Sequence, residues 1–495
     1  MRARGSSGRM RPRVFVIMMA SIVLAPAALA QNDAAAAVSG VVSVLAVGVL
    51  DVFLGLATLL LVGGAIVIYK WPDAEAASEP PPEPPASPQS LDVDRPPNVP
   101  SPSALGTLDE VPGDGLDALR GWDTRFSRPV LYSFLSTVQH AATAAVMTGE
   151  WPRLAPFVSD EVATRWSAEF ERTSELGEVV VGHVRAELLE VGRVVRIEAR
   201  VIGCRTEVGD LGRIIQRFEE RWVLQRHGKA QSLLPGAMTS LRCPNCGAEV
   251  ELDIDGCCVH CDEPQKFGHY QWQVVERHVE PRVPLEPLPL KFRYGRAPGE
   301  PVWRDSQLDQ RLDRYKVVRD DFDLAGFLAH TRMVFDALVP TDSDPYAGRG
   351  LATPLARQQL AFDRLRFEAG GGVLIRDDVE LLYLEPSHFE EDAFYALLTV
   401  RVWWRMRECL VVDDEVVDGD PNGWVVDSQY WTFMRRGESG KPGYTGGCSS
   451  CGAAFERIDP LGTCSVCRNP IADGLFGWVL AGIETIAERH GVGQT

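Results

Sequence analysis

Eight of the eleven cysteines fall into four Cys-x-x-Cys pairs, and the pairs are themselves paired. Cys243, Cys246, Cys258 and Cys261 follow the spacing Cys-x2-Cys-x11-Cys-x2-Cys; Cys448, Cys451, Cys464 and Cys467 follow Cys-x2-Cys-x12-Cys-x2-Cys. One such turn brings two thiolates together, and two turns supply the tetrahedral shell that zinc prefers. Gly247 and Gly452 come directly after each first pair, where a residue without Cβ relieves the turn. Each set reads as a zinc ribbon, at 240–264 and 445–470, in preference to disulfides or a redox dithiol. Four protein ligands leave no position for water, so two structural zinc ions are expected and neither is catalytic. Cys257 and Cys258 compete for one ligand position. Aligning the ribbons sets Thr463 against Cys257, which gives the role to Cys258 and leaves His260 as a loop residue.

The ribbons belong to a larger repeat. A tryptophan strand precedes each: Phe218–Arg226 around Trp222, and Asp427–Arg435 around Trp431. A second tryptophan follows each last ligand by eleven residues, Trp272 after Cys261 and Trp478 after Cys467. Upstream, helix-like spacing covers 128–148 and 158–176, with Val162, Trp166 and Phe170 on one face and Ser159 as N-cap. Val/Ile-rich segments at 178–190, 193–205 and 212–226 read as antiparallel strands. The second copy predicts helices at 322–338 and 352–367 and strands at 373–384, 393–411 and 424–436. Helices followed by a meander give an α+β class, with helices covering one sheet face. The copies span 116–281 and 320–488, each ribbon lying in its last β-hairpin; residues 282–319 connect them, with a short helix at 307–318.

Residues 1–13 carry five arginines and no acid, and the apolar run that follows ends in Ala28-Leu29-Ala30. Residues 1–30 therefore read as a signal peptide or as a first transmembrane helix. The apolar stretch from Gly40 to Tyr69, whose one charge is Asp51, is long enough to span a bilayer and sets a transmembrane helix at 40–70. A proline-rich spacer occupies 71–115. Lys70 lies beyond the span and none precedes it after Gln31, and unpaired thiols favour a reducing compartment. The expectation is a single-pass protein of the bacterial inner membrane with cytoplasmic domains.

The formal net charge of −18 opposes a phosphate-binding surface, and residues 243–261 hold Glu249, Glu251, Asp253 and Asp255 but no Lys or Arg. Nucleic acid is not an expected partner. Gly-x-Ser-x-Gly, His-Glu-x-x-His and Gly-x-Gly-x-x-Gly motifs are missing, and Gly437–Lys441 lacks the spacing of a phosphate loop. Glu187, Glu198, His140 and His183 could line a pocket, but solvated faces or satisfied core positions account for them. Trp403 and Trp404 put one indole on each face of a strand, one for the core and one for a partner surface.

The helical start Trp151–Phe157, the strand Tyr430-Trp431-Thr432-Phe433 and the final Gly477–Ile483 resemble the domain named after subunit 44 of the mitochondrial inner-membrane translocase (TIM), as found in bacterial membrane-anchored proteins. The resemblance implies a nuclear transport factor 2-like (cystatin-like) cone in each copy and a binding role. The ribbon inserted in each copy departs from that family. The function expected is a membrane-tethered, non-enzymatic scaffold that contacts partner proteins, or lipid headgroups, through two zinc-stapled domains. The alternative is a small-ligand binder or enzyme that uses the cone's cavity.

Overall fold

The computed structural model describes residues 107–108, 115–170, 176–209, 212–265, 267–285, 290, 302–340, 348–369, 371–437, 447–448, 450–458, 463–467 and 469–485, all within the unit Asp92–Thr495. They form a mixed α+β structure with two antiparallel sheets, each covered by helices.

Lobe one opens with a 3₁₀ helix, Leu116–Gly121, and the long helix α1, Arg128–Thr148. Proline in its first turn and Gly149 at φ 77° after its last bound α1, because Pro fits an N-terminus and Gly the left-handed cap. Its apolar stripe buries Val130, Leu131, Phe134, Leu135 and Val138 against the sheet. Helix α2, Asp160–Phe170, is capped by Ser159, whose Oγ accepts the Val162 N–H at 3.3 Å. The meander β1 (Leu176–Glu190), β2 (Val194–Gly209) and β3 (Gly212–His227) follows, and β4 (Gln273–Val279) returns beside β3. A two-residue strand, Val283–Pro284, also pairs with β3. Phe134, Phe157, Trp166, Trp222 and Trp272 fill the space between helices and sheet, each at most 1% exposed.

Lobe two repeats that order. Helix α3, Leu308–Val318, precedes α4, Leu324–Leu338, and α5, Pro354–Glu368. Then come β5 (Val373–Glu391), β6 (Tyr395–Val412), β7 (Glu415–Arg436) and β8 (Val479–Glu484), hydrogen-bonded in the order β8-β7-β6-β5. Strands β5 and β7 run longer than the sequence pattern predicts, through Pro386 and Pro421. Register shifts at Pro386/His388 and Asp420/Trp424 absorb the prolines, since a bulge tolerates a residue that donates no ladder bond.

The lobes are joined through α5. Gln358 Oε1 accepts the Val181 N–H of edge strand β1 at 2.9 Å, and its neighbour Gln359 accepts the Ile483 N–H of edge strand β8 at 2.8 Å. One helix thus satisfies two sheet edges. Phe362 lies over Gly182, where a Cβ would come within 2.2 Å of its ring, so glycine is required for the close approach. His140 also reaches Gln358, at 2.8 Å. Burial lowers its pKa, against the opposing pull of Gln358 and of Glu178. Burial likewise lowers that of His330, which meets the Trp478 carbonyl at 2.7 Å.

A histidine with a depressed pKa gains a proton on unfolding, so stability is complete above the ordinary value of 6.5 and is lost as pH falls through the folded value. Thermal melts from about pH 7.5 to about pH 5 should fall more steeply for the parent protein than for His140→Gln or His330→Gln. Parallel curves would show that neither imidazole needs to be neutral.

Two expectations are corrected. Among the described residues no helix is long and apolar enough to cross a membrane, so the structure gives the single-pass inner-membrane assignment no spanning helix. The longest helix among the described residues, α1, has 21 residues and turns its apolar stripe to the core. The predicted signal at 1–30 and span at 40–70 lie outside the described residues, as does the spacer at 71–115 except for 107–108 and 115. Of Trp403 and Trp404 one is expected on a partner surface, but both are buried, at 2% exposure; Trp403 is the one turned away from the lobe-two core. The Arg401 guanidinium stacks on it at 4.1 Å, and Leu382 and Val426 pack around it.

Candidate metal centres

Both ribbons occupy the connection between the third strand of a lobe and its last strand. In ribbon one the Gly247 N–H donates to the Cys243 carbonyl at 2.9 Å, and the Cys243 N–H to the Ala248 carbonyl at 2.9 Å. Ribbon two repeats this, Gly452 to Cys448 at 2.8 Å and Cys448 to Ala453 at 2.6 Å. The turns close only with the fifth residue left-handed, and Gly247 (φ 73°) and Gly452 (φ 74°) supply that conformation without strain.

These turns bring together all eight cysteines named from the sequence. In each set the four Sγ atoms lie within 4.8 Å of one another. First meets fourth and second meets third: Cys243–Cys261 and Cys246–Cys258 at 3.9 Å, Cys448–Cys467 at 3.6 Å and Cys451–Cys464 at 3.7 Å. A disulfide needs about 2.05 Å. Four sulfurs about 2.3 Å from one tetrahedral ion stand about 3.8 Å apart. The donor set and its spacing therefore fit a metal ion and not two disulfides.

Cys258 supplies the third sulfur of the set in ribbon one, and the local pairing explains why Cys257 does not. Cys257 bridges Pro264 and Cys258 bridges Leu252; in ribbon two Thr463 bridges Pro470 and Cys464 bridges Ile458. Successive residues of an extended segment point to opposite sides, so only one of each pair can face the other sulfurs. His260 is exposed and stands outside the set.

The thiols are not equivalent. Burial pushes Cys243 and Cys448 up to about 12. The Asn245 side chain, then the Glu263 N–H, draw Cys261 down to about 7, and the Asn469 N–H does the same for Cys467. A divalent cation would deprotonate the set, because a coordinating thiol ionises.

Ribbon one leans on its lobe: Leu241 and Val250 pack against the lobe-one core, and the Tyr270 hydroxyl donates to Glu263. Ribbon two has a cluster of its own, Ile458, Ile471 and Ala472 around Cys448 and Cys464, tied to lobe two by Arg349 donating to the Ile458 carbonyl at 2.8 Å. Cysteine spacing gives no sign of these anchors.

The other candidates are dispersed. Glu187 faces Glu198 across β1 and β2 on the outward side of the sheet. His140 bonds Gln358, and His183 stacks edge-on against Phe362 at 5.4 Å, so both serve the lobe junction. Of Gly437–Lys441 only Gly437 is among the described residues.

Further correspondences link the lobes. The Trp222 indole donates to Glu220 at 2.8 Å and the Trp431 indole to Gln429 at 3.1 Å, two residues back in each case. Four residues on, Arg226 pairs with Asp123 and Arg435 with Asp321, each acid shortly before a long helix. The last strands bridge the turn before the second helix alike, Val274 to Val158 and Leu480 to Ala352. The recurring Trp-x3-Arg could have flagged these pairs from the sequence. No family model, no curated protein and no solved structure matches the chain.

Proposed function

We propose that this chain is a non-enzymatic scaffold, one α+β lobe duplicated, each copy stapled by a structural zinc ribbon and contacting partner proteins. The observation that carries the reading is the pair of closed four-sulfur sets mounted on lobes whose interiors are already filled. Cysteine-only coordination with matched sulfur spacing favours zinc, and four ligands leave no catalytic position. The indole bonds, the Arg–Asp pairs and the strand bridges support a duplication, because each recurs at the same offset from its tryptophan. A helix pair, α1 with α2 or α4 with α5, followed by four main strands in each copy agrees with the subunit 44-like cone that the sequence resembles. Trp166, Trp222 and Trp272 in lobe one, and Trp404, Trp431 and Phe433 in lobe two, occupy the space in which a cone would hold a ligand.

Partner proteins suit the exposed surface best. Ile254 at the tip of ribbon one is 99% exposed, and Glu249, Glu251, Asp253 and Asp255 around it are exposed too. Phosphates would be repelled there, and a net charge of −18 disfavours anionic headgroups. A photo-crosslinking residue at Ile254, expressed in the native host, should give a discrete protein adduct that disappears when Cys258→Ser is added. No adduct, or one indifferent to the ribbon's integrity, would overturn the reading.

A further inference from the structure

Where the 3₁₀ helix of lobe one meets α3 and the end of β5, the lobes leave a cleft of about 660 Å³. Arg120 and Arg128 line it from lobe one. Arg311 and Arg314 line it from α3, three residues apart and so neighbours on one helix face. Four guanidiniums face the carboxylates of Asp117, Glu390 and Glu391, and His388 lines the cleft as well. The lining carries four guanidiniums against three carboxylates, in a chain of net charge −18.

The carboxylates pair with three of the guanidiniums and leave Arg314 over. Arg120 and Arg128 share Glu390, at 2.9 and 3.6 Å, and share Asp117, at 3.6 and 3.5 Å. Burial opposes ionisation of Glu390, yet Arg128, Arg120 and His388 hold its carboxyl below the ordinary range, so it stays charged. Arg120 keeps a buried Nε–H without a partner. Arg311 donates to the Phe389 carbonyl at 3.1 Å and meets Asp305 at 3.4 Å. Arg314 is exposed and makes no hydrogen bond or ion pair among the described residues.

We propose that this cleft binds a small anion with two or more charges, a diphosphate or phosphate ester, between Arg314 and Arg311 on one wall and Arg120 on the other. A guanidinium presents a planar fork that matches phosphoryl oxygens. A singly charged ion satisfies one wall only, whereas an anion with separated charges reaches both. The volume lies in the small-ligand range of roughly 300–1,000 Å³, and junctions between domains are frequent places for such sites. The site is independent of the metal centres and adds ligand binding to the scaffold reading.

The test is calorimetric titration of the full-length protein with inorganic pyrophosphate at low salt. One ion per chain should bind, at least about tenfold more weakly in Arg314→Ala, since a hydrogen bond to a charged group contributes roughly that factor. Arg314 is exposed, so its truncation leaves the fold intact. Glu391→Gln should bind more tightly, because it removes a facing charge. Arg165→Ala, which deletes an exposed cation of α2, should change nothing. No binding, equal weakening in Arg314→Ala and Arg165→Ala, or tighter binding of citrate than of pyrophosphate would overturn the assignment.

Discussion

Cys258→Ser is expected to bind one zinc ion per chain, and both the parent protein and Cys257→Ser are expected to bind two. The two residues are adjacent and the variants have the same composition; the side toward which the sulfur points differs, leaving Cys258 buried and Cys257 half-buried. Cys258 lies 3.9 Å from Cys246 and inside the four-sulfur set, while Cys257 faces Pro264. Structural zinc contributes about 10–16 kcal/mol in small ribbon-like peptides, comparable with the whole stability of roughly 5–15 kcal/mol of a typical domain. Loss of one ion should therefore be felt beyond the ribbon.

How far it is felt depends on the anchors. Ribbon one shares the lobe-one core through Leu241 and Val250, so Cys258→Ser should lower the melting temperature of lobe one together with the zinc count. Ribbon two has a separate cluster, so Cys464→Ser should lose its ion and leave the lobe-two core closer to intact. Native mass spectrometry gives the count and thermal melts give the reach. Two ions retained by Cys258→Ser, or one lost by Cys257→Ser, would sink the ligand assignment. Equal melting shifts for Cys258→Ser and Cys464→Ser would sink the difference in anchoring.

The two four-sulfur sets were legible because a pair of tight turns leaves a short, rigid spacing in the chain: two residues between cysteines and a glycine after the first pair. The helices and strands were legible because their apolar residues recur with the period of the element, as Val162 and Trp166 do on α2. Polar capture across long separations leaves no such period. Nothing in the neighbourhood of Gln358 and Gln359 announces that one will bond β1 and the other β8. Trp403 misled for a related reason. Alternation put Trp403 and Trp404 on opposite faces, but Arg401 lies over the face away from the lobe-two core and buries Trp403 there. The cleft between lobes was invisible, since Arg120, Arg128, Arg311 and Arg314 come from two lobes and three elements.

Asp123→Ala should cost about 3–5 kcal/mol, against about 1 kcal/mol or less for Asp321→Ala, although each acid serves the arginine four residues beyond its lobe's strand tryptophan. The difference is water. The Asp123 and Arg226 side chains are 1% and 2% exposed. Arg226 donates to Asp123 at 2.7 Å and lies 4.3 Å above the Trp272 ring, and the Ser232 hydroxyl and N–H also donate to the carboxylate. Burial already disfavours the guanidinium's charge, and Asp123 opposes that tendency. Removing the acid leaves a buried cation without its counter-charge and strands the Ser232 donors, which is where the cost arises. Asp321 is 48% exposed, so solvent can replace it beside Arg435. Denaturant unfolding of both variants decides the matter. Equal losses would mean that burial does not separate the two pairs. A double replacement, Asp123→Leu with Arg226→Met, should recover much of the loss, because it removes both charges instead of orphaning one.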